Sequence, residues 1–315
     1  MIVNLTTKHS SSIITVKGKS IMSKQKLIQN VVSKIRHDWG AADAKRDSGK
    51  KTPEDILRFD NILYGEDKKW QILDVYKPKS AEGKLPVIVN VHGGGWVYGT
   101  KEVYQFYCMS LAQMGFAVVN FNYRLAPENK FPSSVEDTNS VFNWIEKKQN
   151  EYGFDCNNVF AVGDSAGANL LALYAAILTN AELKKKYNFE LPSEINLKAV
   201  ALNCGKYTVR NFDILITSLF DKKSKYNVKD IEITSKITPD FPPSILMTCK
   251  GDFLCKEIYP IMKALEKQTV PFQCNFYGTK EKPLWHVFHV DCDMKEAQEC
   301  NKTQMEFFKR FLQKD

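Results

Sequence analysis

Residues 158–176 read "NVFAVGDSAGANLLALYAA". A short apolar run leads into Gly163-Asp164-Ser165-Ala166-Gly167, and a helical pattern begins at Ala166. A serine between two glycines, straight after a strand and straight before a helix, is the G-x-S-x-G elbow in its required setting. The reversal is sharp enough to strain the backbone at Ser165 and to push its hydroxyl out above the sheet. Glycines on both flanks let neighbouring chain come close.

Working outward, the same strand-then-helix rhythm recurs. Trp70–Pro78, Val87–Val91, Phe116–Arg124, Asn158–Gly167, Leu197–Gly205, Pro243–Asp252 and Val270–Gly278 read as strands, and Val87–Val91 is a short run of β-branched residues, broken only by Asn90, of the kind buried on both faces. Helical patterns cover Tyr104–Met114, Pro132–Gln149, Ala166–Leu178 and Glu257–Gln268. Alternation of this kind predicts an α/β fold built on a mostly parallel, doubly wound sheet, with chemistry beyond the carboxyl ends of the strands. Two segments depart from the rhythm. Ile28, Val31, Val32, Ile35 and Trp39 form one face of a helix over 21–39, and residues 206–240 show no clean strand–helix unit. Together they are expected to form a cap over the carboxyl face. Residues 1–20 read as a loose tail, and Met22 is a possible alternative start.

Composition narrows the function classes. The chain has 315 residues, 43% of them apolar and 25% charged, which is globular. The net charge of +8 is spread along the chain without aromatic interleaving, so nucleic acid is not an expected partner. Eight cysteines lack CxxC spacing, the start lacks a secretory signal, and no apolar stretch is long enough to span a bilayer. A cytoplasmic protein with free, mostly buried thiols and no stable membrane insertion is expected.

A serine hydroxyl is a weak nucleophile and needs a base oriented by an acid. On this elbow the chain order is serine, acid, histidine. Of five histidines only His286 and His289 follow Ser165. His286 is the expected base, with Phe288 packing to fix its loop and His289 as a surface neighbour. Asp240 precedes its strand and so lies at the wrong end of the sheet, while Asp291 and Asp293 come after the histidine. Asp252, at the carboxyl end of its strand, is the expected acid. Acyl transfer also needs N–H donors for a tetrahedral oxyanion. The bare backbone of "VNVHGGGWVYGT" (residues 89–100) can supply them, from Gly93 and Gly94 together with the N–H of Ala166, while Gly95 allows the turn. His92 is expected as a structural hydrogen-bonder. No metal or organic cofactor is expected.

"HGGGW" (92–96), "NYRLAPENKFP" (122–132), "GDSAG" (163–167), the Asp252 turn and "HVF" (286–288) together resemble the hormone-sensitive-lipase-like branch of the α/β-hydrolases. The resemblance spans Trp70 to the C-terminus and implies a carboxylesterase with a cap. It implies N-terminal cap helices over 21–60 and a catalytic domain over 61–315 with an insertion at about 206–240. Ser165, Asp252 and His286 would form the triad, with Gly93, Gly94 and Ala166 lining the oxyanion hole. Arg124–Pro127 would be a buried ionic turn beneath the site. One departure is Cys255, standing where a second carboxylate is common, which bears on how the cap is anchored. The expected substrate is a small ester with a short- to medium-chain acyl group. An amidase or deacetylase would use the same residues. A non-catalytic binding relative would be expected to lack the histidine, and a membrane-surface lipase would use the basic helix over 21–39. Oligomeric state is not legible.

Overall fold

The computed structural model describes residues 24–209, 213–221 and 223–313. The expected tail over 1–20 and the start of the first helix lie outside these residues. Eight strands form one sheet: β1 (Ile56–Leu63), β2 (Ile72–Pro78), β3 (Leu85–Val91), β4 (Ala117–Phe121), β5 (Phe154–Asp164), β6 (Leu197–Asn203), β7 (Ser244–Cys249) and β8 (Phe272–Tyr277). Their spatial order is β1-β2-β4-β3-β5-β6-β7-β8. From β4 to β8 every pairing is parallel, and β2 runs against both of its neighbours.

The apolar run in β3, interrupted by Asn90, serves two cores at once. Val87, Val89 and Val91 face α3 (Ser133–Tyr152), α4 (Ala166–Thr179) and α7 (Ile258–Lys267). Ile88 points the other way, into the layer of α2 (Lys101–Ala112) and α8 (Lys295–Lys309). A strand buried on both faces reads as an apolar block rather than an alternation, and its one polar member, Asn90, is buried and donates to Asn120 Oδ1 at 3.0 Å.

Two elements escape the sequence reading. β1 starts at Ile56, so the segment 21–60, expected as cap helices, holds one described helix and the first turns of an edge strand. β1 lies at the rim, with Leu57 and Leu63 exposed and an irregularity between Phe59 and Ile62, so no clean period survives. α8 buries Ala297, Cys300, Asn301, Gln304, Met305 and Phe308, a helical stripe whose polar members disguise it. Asn301 donates to the His289 carbonyl at 2.9 Å, so its polarity serves the fold.

The helix α1 (Lys24–Arg46) buries Ile28 and Val32, while Trp39 stays 39% exposed. Its polar contacts are specific. Arg36 donates to the Val97 and Ala126 carbonyls and makes a two-pronged pair with Glu128, and Tyr98 donates its hydroxyl to Asp43 at 2.6 Å. α1 lies against α6 (Ile214–Leu219), which belongs to the irregular segment 206–240. No helix among the described residues is long and apolar enough to cross a membrane. The Arg124 turn is held from below: buried Asp137 accepts from the Arg124 backbone N–H at 2.7 Å and from its Nε at 3.0 Å.

The start of the irregular segment is fastened by Glu257, not by position 255. Its carboxylate, 8% exposed, accepts from the backbone N–H groups of Tyr207 (3.1 Å) and Thr208 (2.8 Å). It also accepts from the Thr208 hydroxyl and from Lys206 Nζ at 2.5 Å. Burial alone would raise this carboxyl, but the Lys206 and Thr208 donors outweigh it and hold its pKa below the ordinary value. Glu257→Ala strands a partly buried ammonium and two N–H groups. It should cost about 2–4 kcal/mol of stability. Glu257→Gln, which keeps an acceptor, should lose less. Melting curves of both variants check the order; an Ala variant as stable as wild type contradicts the clamp.

Candidate active site

Ser165 leaves β5 with φ +53° and ψ −118°, a conformation that L-residues avoid. Packing enforces it. Gly167, the second residue of α4, faces the carbonyl oxygens of Val91 and His92, and a Cβ there would collide with both. Ser165 N–H donates to the Asn203 carbonyl at 2.9 Å, and the Ser165 carbonyl accepts from Lys206 N–H at 3.2 Å. The hydroxyl is thereby presented at the carboxyl edge of the sheet.

Three side chains from distant segments meet there. Ser165 Oγ lies 2.9 Å from His286 Nε2, and His286 Nδ1 lies 2.6 Å from Asp252 Oδ1. Asp252 sits just past β7, where Thr248 donates its hydroxyl to Oδ2 and the Leu254 N–H donates to Oδ1, each at 2.8 Å. Burial pushes the Asp252 carboxyl up, but His286 and these donors win and leave its pKa below the usual carboxylate value. His286 is held from both sides. Phe253 packs on its ring at 4.3 Å, and Val287 takes a left-handed φ of +56° that turns fully buried Phe288 inward.

His289 is not on the surface. It is 1% exposed, edge-on to Tyr107 at 5.1 Å, because α8 covers the loop. Burial pushes its imidazole down to about 3. His92 is likewise buried, with Nδ1 2.8 Å from the Gly93 carbonyl and its ring stacked on Tyr123 at 4.2 Å.

The glycine loop differs from expectation in one respect. The Gly93 N–H points away from the serine, donating to Asp164 Oδ1 at 3.1 Å and Tyr104 Oη at 3.0 Å. Gly94, at φ +115°, has its carbonyl tied to the Val97 and Tyr98 N–H groups. Among the described residues, the N–H groups of Gly94, Gly95 and Ala166 find no protein acceptor, and all three residues line the pocket beside Ser165. Gly93 is therefore a fixed point of the loop, and Gly95 takes the place expected for it among the open donors.

That pocket holds about 360 Å³. Its walls come from α1 (Trp39, Asp43, Arg46), from the irregular segment (Lys206, Asp213, Leu215) and from Phe253 and Leu254. Leu215 and Trp39 lie over Gly95. A larger open groove of about 1110 Å³, lined by Lys84, Asp155 and Asp240 among others, lies at the amino ends of the strands, remote from Ser165. Tyr104, Asp164, Glu257 and Leu215 were given no site role from sequence, whereas Trp39 lay on the helix expected as cap. For Asp164 a signal existed: an acid closing an apolar strand, one residue before the elbow serine.

The BD-FAE family model matches residues 73–240, just over half of the chain. The versiconal hemiacetal acetate esterase of Dothistroma septosporum is 28% identical over 231 residues, 68% of this chain and 70% of its own. Esterase LipC of Mycobacterium tuberculosis is 33% identical over 150 residues, 46% of this chain, and the match spans only 36% of LipC. A C6-C4 SN3 inhibited esterase B from Lactobacillus rhamnosis superposes with a TM-score of 0.83 at 25% identity, over 90% of this chain and 96% of that one. With an eight-stranded sheet of this order and a pocket at its carboxyl edge, the chain belongs to the BD-FAE family, on the hormone-sensitive-lipase-like branch of the α/β-hydrolases, and is an ester-hydrolysing enzyme of carboxylesterase type.

Proposed function

We propose that this enzyme cleaves esters of short- to medium-chain acyl groups through a Ser165–His286–Asp252 triad and a covalent acyl-enzyme. The observation that carries this reading is the unbroken relay from Ser165 Oγ through both ring nitrogens of His286 to Asp252, beside three open backbone N–H groups. Ser165 Oγ attacks the ester carbonyl carbon as His286 Nε2 takes its proton. The carbonyl oxygen becomes an oxyanion, which the N–H groups of Gly94, Gly95 and Ala166 receive. Ala166 opens α4, so its N–H adds the positive end of the helix. Collapse expels the alcohol, protonated by His286, and leaves the acyl group on Ser165. Water then repeats the sequence, with His286 as base and Ser165 as leaving group. Asp252, kept ionised, fixes the ring tautomer and stabilises the imidazolium.

We read α1 and residues 206–240 as the cap. Trp39 and Leu215, lying over the glycine loop, limit the space on that side, which supports a short- to medium-chain preference in a cavity of about 360 Å³. That esterase B was captured in a C6-C4 SN3 inhibited form is in keeping with this size. Eight free cysteines, five of them buried, support the cytoplasmic reading.

Ser165→Ala should lower turnover of p-nitrophenyl acetate by at least about 10³-fold while the melting temperature stays near that of wild type. Undiminished turnover refutes the triad. Rates along a p-nitrophenyl series from acetyl to palmitoyl should peak at short to medium acyl lengths. A maximum at palmitoyl overturns the assignment of chain length without touching the nucleophile.

A further inference from the structure

The Gly93 N–H is the nearest backbone donor upstream of the open ones, and two side chains consume it. Asp164 Oδ1 and Tyr104 Oη both accept from it, and the Tyr104 hydroxyl donates to Asp164 Oδ2 at 2.8 Å. The three groups close a ring of hydrogen bonds that is nearly buried, Tyr104 being 6% and Asp164 2% exposed, at the edge of the pocket. The fit is tight, because a Cβ on Gly93 would run into the Asp164 carboxylate. Asp164 immediately precedes Ser165, and Tyr104 belongs to α2, so the ring joins the elbow, the glycine loop and a flanking helix. Downstream, the loop is closed by its own turn, with the Gly94 carbonyl receiving the Val97 and Tyr98 N–H groups. Farther along, Arg36 donates to the Val97 carbonyl from α1, but at Gly93 itself the N–H is held by the Tyr104 and Asp164 side chains.

We propose that Tyr104 and Asp164 form a positioning pair that locks Gly93 and so aims the Gly94 and Gly95 N–H groups at the oxyanion. This rests on the triad reading above. Neither residue touches the reacting atoms; they act through the loop. The geometry predicts an effect on the transition state and not on ground-state binding, since the ring lies beneath the loop and the aimed donors matter most when charge develops on the carbonyl oxygen. Burial pushes the Asp164 carboxyl up to about 7, against the Tyr104 hydroxyl, the nearby His286 and the Gly93 N–H, which all favour its ionised form. Such a group is kept where its hydrogen bonds matter more than its burial.

The test uses Tyr104→Phe, Asp164→Asn and Asp164→Ala in the full chain. For each, kcat and KM are measured on p-nitrophenyl butyrate, together with the inhibition constant of an alkyl trifluoromethyl ketone. That ketone adds to a serine nucleophile and places an oxyanion where the ester's would form. Tyr104→Phe should lower kcat by about 10- to 100-fold with KM within about twofold, and should weaken the ketone by a similar factor. Asp164→Asn, which still offers an oxygen to the Gly93 N–H, should retain more activity than Asp164→Ala. The proposal is overturned if Tyr104→Phe leaves kcat at the wild-type value, or lowers it while ketone affinity stays intact. A loss of kcat that only follows a fallen melting temperature overturns it too. Labelling by a fluorophosphonate separates this from failure of the triad reading. A wild-type enzyme that Ser165→Ala renders unlabelled, combined with a fully active Tyr104→Phe, sinks the positioning pair alone.

Discussion

The strained backbone at Ser165 is the constraint on which the site depends. A φ of +53° on a non-glycine residue costs about 1–3 kcal/mol and persists only when its surroundings over-determine it. Those surroundings are the crowded junction of β3, β5 and α4, where Gly167 leaves just enough room for the carbonyls of Val91 and His92. Every residue of α4 from Ala166 to Ile177 is buried, so the helix cannot pivot to relax the turn. Two consequences follow from the same strain. The hydroxyl stands clear of the sheet, and the first N–H of α4 is left open beside it, as helix starts leave their donors. Under the proposed mechanism, nucleophile and oxyanion donor are thus products of one backbone turn.

The buried carboxylates around this turn show how environment separates roles. Asp252 and Asp164 are both nearly enclosed, yet their ionisation moves in opposite directions. Around Asp252 the imidazole, a hydroxyl and a backbone N–H outweigh burial, so the negative charge is maintained and available to an imidazolium. Around Asp164 burial wins, because its donors are a phenol and one N–H. In the proposed mechanism the first arrangement supports a charge that appears and disappears during the reaction, while the second is the one we propose to stiffen the glycine loop. Glu257 is a third case. Its donors outweigh burial, but they are a lysine, a hydroxyl and backbone groups of the irregular segment, so its charge is spent on anchoring.

Most of the fold was legible because α/β sheets write themselves as blocks: the run Val87–Val91 and the elbow at 163–167 each admit few other arrangements. Chain order and sheet polarity pointed to Asp252 and His286, whose side chains lie in a hydrogen-bonded line with Ser165. What was not legible has a common cause. β1 is an edge strand with a mixed pattern, and α8 hides its stripe behind buried Asn301 and Gln304. Missing α8 made His289 look like a surface residue. The Gly93 assignment was missed because a glycine's N–H direction is set by a partner 71 residues away, Asp164. Position 255 drew attention as the missing carboxylate because spacing alone does not show that Glu257, two residues on, turns toward Tyr207 and Thr208.

The substrate-facing walls obey a different logic from the catalytic floor. Trp39 and Leu215 reach over Gly95, while His286 packs on Phe253 and its loop is pinned two residues on by Phe288, which packs against Tyr277. Roof and relay therefore rest on separate supports: α1 is docked through Arg36 and Asp43, and the relay is docked through the sheet ends. They meet at one place, the loop from Asp252 to Glu257, which carries the acid at one end and the clamp on the irregular segment at the other. Changes in the roof can alter the volume offered to an acyl or alcohol group without moving the imidazole. Changes in the clamp act on both together, because the carboxylate that anchors the segment lies five residues along the chain from the one that orients His286. A fold that holds its chemistry on the sheet and its specificity on less regular segments can vary the second while keeping the first, and the chain between 252 and 257 is where that independence ends.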